Sequence, residues 1–212
     1  YVTIVSGGTK LSKLQLLNNH LDWKFTGVLH EVIDPGARSS SNLEKVVNIY
    51  TNDGARSKDP RKYEKDAEVF EKALLDEPEN SRYVFYLARS YQGANNRQLA
   101  LKNYEKRATM GGWNEELYWA LLQVGILQEE LNMPPETFIS SYRRAYQFRP
   151  SRIEALYYLA NYFQRTKNYE SGYATAKLAM TIPPSSDMLF VQQWMHDYGI
   201  PLEYSICAYW ID

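Results

Sequence analysis

A disulfide framework needs cysteines in pairs, and this chain of 212 residues has only Cys207. Internal cross-linking is thereby excluded, and a reducing, cytoplasmic setting is the expectation. An excess of charge of one sign is also missing. Lys and Arg number 24 against 25 Asp and Glu, a net charge of −1, so no basic surface is offered to nucleic acid. No apolar run approaches the roughly 20 residues of a membrane-spanning helix. The first residues lack the charged-then-apolar order of a signal peptide. The chain opens with Tyr1 rather than Met, an opening expected of a fragment of a longer protein. What the sequence has in excess is tyrosine, 18 residues of it, mostly after residue 82.

The first fifty residues read as short strands and loops. "YVTIV" runs into Ser6-Gly7-Gly8, "WKFTGVLHEVI" into Asp34-Pro35-Gly36, and "LEKVVNIYT" into Asn52-Asp53-Gly54. Each is β-branched or aromatic and bounded by turn residues, which predicts strands. Three or four such strands bury little core alone. After Asp59 the pattern turns helical. Asp59-Pro60 predicts a helix start, and Tyr63, Ala67, Phe70 and Leu74 then share one face. Glu77-Pro78 closes that helix, and Ser151-x-x-Glu154 reads as a capping box opening another. About seven helices are predicted between residues 59 and 182, with a further one around Leu202 to Trp210.

These helices repeat. Leu87-Ala88, Tyr91, Ala100 and Tyr104 set an order of large, small and aromatic residues that returns at Leu159-Ala160, Phe163, Gly172, Ala176 and Ala179. A looser copy between them carries Gly125, Tyr142, Ala145 and Pro150. The spacing is close to the roughly 34-residue tetratricopeptide period. A small residue lets the two helices of a repeat approach, and aromatics fill the gap to the next. The predicted fold is therefore mainly α: a tetratricopeptide-like α-α superhelix over 58–212, preceded by a β and loop segment over 1–57.

Five segments in order, "WKFTGVLHE", "NDGARSKDPRKYEKD", "ENSRYVFYLARSYQ", "YEKRATMGGWNEELYWALLQVGIL" and "YRRAYQFRPSRIEALYYLA", resemble the C-terminal stretch of family-2 glycosyltransferases of the GT-A type that carry tetratricopeptide repeats. In that family the catalytic domain ends in Trp-x-x-x-Gly-x-x-His-Glu, matched by Trp23, Gly27, His30 and Glu31. A linker follows, matched by Arg56, Ser57, Asp59, Pro60, Lys62, Tyr63 and Asp66. The resemblance implies transfer from a nucleotide-sugar donor with Mn or Mg, and an upstream catalytic domain as partner. The family's Asp-x-Asp segment has no match here, nor has a Gly-rich phosphate loop, so this chain alone is expected to be inactive. Glu115-Glu116 and Glu129-Glu130 read as solvated helix faces.

On that resemblance His30 is the metal candidate, only together with ligands from the upstream half, since imidazole ligates Mn and imidazolium steadies a departing diphosphate; a buried, hydrogen-bonded histidine within a strand is the alternative. Trp23, Glu31, Arg56 and Lys62 are the substrate-binding candidates: Trp23 stacks on a sugar or packs a seam, Glu31 points away from His30, and the two cations suit a diphosphate or a solvated linker. His20 and His196 lack partners at metal spacing, and Cys207 reads as a small buried hydrophobe. Taking Leu87 and Leu159 as equivalent places Phe85, Arg89, Gln92, Tyr157, Asn161 and Gln164 in the repeat groove, a mixture suited to a neutral glycan or peptide acceptor. The competing reading is a non-catalytic repeat adaptor that binds a protein partner.

Overall fold

The computed structural model describes residues 1–6, 9–33, 39–49 and 54–211. The chain forms two compact units, Tyr1–Gly112 and Trp113–Asp212. In the first, β1 (Val2–Ser6) pairs antiparallel with β2 (Thr9–Lys13), setting Ser6 against Thr9. On its other edge β1 runs parallel to β5 (Leu43–Ile49). The predicted strand over 23–33 is instead two short pieces, β3 (Phe25–Thr26) and β4 (Val32–Ile33), paired antiparallel across a bend. Gly27 at φ 111° and His30 at φ 52° both lie in the left-handed region. That region breaks a strand, and for His30 it carries a backbone cost.

A turn of 3-10 helix, Ala55–Lys58, leads into α1 (Lys62–Asp76), α2 (Ser81–Gly93) and α3 (Arg97–Arg107). Asp59 accepts from the Arg61 amide at 2.9 Å and from Lys65 at 2.7 Å. Asn80 and Asn96 cap α2 and α3 by accepting from the Tyr83 and Leu99 amides, each satisfying one orphan donor. Ala67, Phe70, Tyr83 and Leu87 form the core, with Leu29 packed against it. Residue 57, the expected domain boundary, lies in the 3-10 turn that leads into α1.

The second unit pairs α4 (Asn114–Glu130) with α5 (Pro135–Phe148) and α6 (Glu154–Arg165) with α7 (Tyr169–Met180). The seven predicted helices are present. A strap over 181–194 and one π-helical turn, Met195–Gly199, lead to α8 (Ile200–Ile211). Gly125 meets the Tyr142 ring so closely that a Cβ there would lie 2.6 Å from Cδ1. At Gly172 a Cβ would lie 2.6 Å from the sulfur of Cys207, which is fully buried. These contacts are the reason for the small slots. No helix among the described residues is long and apolar enough to cross a membrane.

Candidate interaction face

In the first unit the outer face of α2 is built around Tyr86. Its ring stacks on the His30 imidazole, centroids 4.1 Å apart and planes 9° apart, and lies 6.0 Å from Phe70. The Arg82 guanidinium sits 4.8 Å over the same ring and donates to the His30 carbonyl at 2.9 Å. Arg89, two turns along, reaches within 5.7 Å of the Tyr86 ring and 5.9 Å of the Phe85 ring. Two guanidiniums and an imidazole are thus held on aromatic faces, where quadrupole attraction fixes their direction. Both arginines are half-buried.

His30 therefore faces α2. Hard divalent cations want several oxygen donors or a cluster of His and carboxylate groups. No three His, Cys, Asp or Glu side chains converge among the described residues, so a Mn or Mg site at His30 would need ligands from outside them. The other candidates are scattered. Trp23 donates its indole N–H to the Asn18 carbonyl at 2.7 Å, and Glu31 is exposed. The Lys62 ammonium lies 4.8 Å over the Tyr63 ring. The Arg56 side chain lies outside the described residues.

The groove reading needs correction. Phe85 is fully buried, edge-on to Tyr86 and Tyr104, and it belongs to the core. Gln92 accepts from the Tyr104 hydroxyl at 3.0 Å. In the second unit Tyr157 packs edge-on against Trp194, 5.0 Å away, and burial pushes its phenol upward. Asn161 donates to Glu203 at 2.8 Å, tying α6 to α8. Arg89 and Gln164 remain half-buried, polar members of their helix faces.

What covers that face of the second unit is the strap, held by buried charges that no local pattern announces. Arg152 is completely buried. It ion-pairs with Glu154 at 2.7 Å and Asp187 at 3.1 Å, and donates to the Leu189 and Phe190 carbonyls at 3.1 Å each. Tyr118 donates to Glu154 at 3.1 Å, and Arg149 also pairs with Asp187. Glu115, expected on a solvated face, is buried and accepts from the Met188 and Leu189 amides at 2.8 and 2.7 Å. Glu154 accepts from the Gln192 amide rather than closing a capping box. Phe190, at φ 51°, then reaches the Trp119 ring, 4.9 Å away. Burial works against the charge of Asp187, yet hydrogen bonds from Arg149 and Arg152 outweigh it and hold the carboxyl below its ordinary value. An Arg-x-Glu pair at a helix start was the single sequence signal available.

No family model matches the chain, and no curated protein does. Solved structures do. One crystal structure of MamA is 13% identical with a TM-score of 0.51, covering 77% of this chain and 96% of that chain. Another structure of MamA is 14% identical with a TM-score of 0.52, covering 70% of this chain and 79% of that one. The fold is tetratricopeptide-like. At such identity the likeness carries the fold alone. Among these similar structures none points to a GT-A catalytic domain.

Proposed function

We propose that this chain is a protein-interaction module that binds an extended, carboxylate-bearing segment of a partner along α2. The observation that carries this is the pair Arg82 and Arg89, two turns apart and each directed by the Tyr86 ring. Guanidiniums in fixed orientation recognise carboxylates with charge-assisted, often bidentate bonds. In sequence register, Trp119 and Glu154 hold the slot of Arg82, six residues before the small residue of each repeat; Trp119 meets Phe190, Glu154 pairs with Arg152, and Arg82 donates to the His30 carbonyl. The expectation of a neutral glycan or peptide acceptor leaned on Phe85, which is core.

Selection from displayed random 12-residue peptides tests this reading. The expected outcome is enrichment of Asp and Glu, with binding that weakens in salt and falls at least about tenfold in Arg89→Ala. Selected peptides without carboxylates, or indifference to Arg82→Ala and Arg89→Ala, would overturn it. The ordered resemblance to glycosyltransferase segments supports a second reading, in which the strands belong to a catalytic domain completed upstream. Specific binding of a nucleotide-sugar, lost in His30→Ala, would favour that reading over the first.

A further inference from the structure

α8 buries one face and presents another. Ile200, Glu203 and Cys207 are buried, at helical spacing, against α6 and α7. The rings of Tyr204 and Trp210 stack on Tyr173 and Tyr169 of α7 at 4.8 and 5.5 Å. On the opposite side Leu202, Ser205 and Tyr209 are exposed at the same spacing, and Tyr198 extends the row one turn back. A surface helix ordinarily turns polar residues outward. Here the one Asp, Glu, Lys, Arg or His between Ile200 and Ile211 is the buried Glu203. A charged partner finds no charged residue to pair with among Leu202, Ser205 and Tyr209.

We propose that this face binds the same face of a second copy, as two antiparallel α8 helices related by a two-fold axis. The row is self-complementary about the midpoint between residues 203 and 204. Antiparallel pairing there sets Leu202 against Ser205 of the second copy, twice by symmetry, and Tyr198 against its Tyr209. Large against small is what close helix packing needs, and a two-fold interface requires that one patch match itself. No like charges meet, because none stand in the row.

The available area fits a weak contact. Tyr198, Leu202 and Tyr209 are 60%, 55% and 75% exposed. With about 150–250 Å² per aromatic side chain, these three offer roughly 350 Å² per copy. Two copies then bring together about 700 Å², below the size of a standard specific interface, so the pairing forms only on concentration.

Sedimentation equilibrium of the full chain from about 1 µM to 1 mM tests the pairing. The expected weight-average mass rises from 24.7 kDa toward twice that value. Leu202→Ser and Ser205→Leu each weaken association at least about tenfold, the first by losing the knob and the second by filling the hole. The double exchange Leu202→Ser/Ser205→Leu restores it, since each copy again sets leucine against serine. A non-specific apolar patch would order these variants by hydrophobicity, with Ser205→Leu the tightest. That order, or a chain monomeric throughout, overturns the proposal. Circular dichroism on each variant confirms that these exposed substitutions leave the fold in place.

Discussion

Gly125 shows how one residue sets two opposing terms. An alanine in mid-helix gains about 1 kcal/mol over glycine in propensity. Its Cβ would press into Tyr142, whose ring stacks on Tyr158 at 5.6 Å and whose hydroxyl donates to Glu129 at 2.8 Å. The ring has nowhere to go, and overpacking of this kind costs about 1–3 kcal/mol. Gly125→Ala is therefore expected to lower the midpoint of thermal unfolding, and an unchanged or raised midpoint would show that the ring yields. Arg152 is the more severe case. Removing a buried charge that neutralises buried partners costs about 3–5 kcal/mol. Arg152→Ala is expected to approach that loss in urea unfolding, because Glu154 would stay buried without a counter-ion and Asp187 would keep only Arg149. Arg152→Met with Glu154→Leu should recover much of it if the pair specifies the strap's path more than it adds stability.

At the scale of the element, periodicity was legible and excursions were not. The helices over 62–180 were readable because one face of each must be apolar and because Ala88, Gly125 and Ala160 mark where helices touch. The segment over 23–33 was misread because its residues favour strands locally, while His30 finds a ring to stack on once α2 is folded. β2 was missed outright: "TKLSK" has little β-branched character and is held by its pairing to β1. The strap escaped notice because its partners, Glu115 and Arg152, lie dozens of residues away in sequence. Its attachment depends on pH in a stated direction. Asp187 is held below the ordinary value of 3.8 in the folded chain. A carboxyl depressed on folding stabilises above its unfolded value and loses that contribution as pH falls through the folded one. The strap should thus stay docked above about pH 4 and loosen below it. Near-ultraviolet circular dichroism should report a change there that Asp187→Asn removes. A transition unaffected by that substitution would assign the acid sensitivity to other carboxylates.

For the whole molecule, the distinction that matters is between a surface that binds and a site that reacts. Composition showed a balanced charge and no apolar run long enough to span a membrane, and the repeat could set the fold. Neither could decide whether His30 served chemistry, because that depends on what stands around its ring. In the folded chain one face of the imidazole lies on Tyr86, and the Arg82 guanidinium occupies its own carbonyl. A nearby cation disfavours a second one, and a lone imidazole is a poor divalent site. Calorimetric titration with Mn²⁺ is therefore expected to show nothing tighter than about millimolar, and His30→Ala should leave the heats unchanged. The same substitution should instead lower thermal stability, since it removes a ring that covers Tyr86 and Phe70 on the flank of the first unit. Micromolar Mn²⁺ binding that vanishes in His30→Ala would reverse the assignment. The α2 face would then be part of a metal site, with the arginines placed for a diphosphate rather than for a peptide.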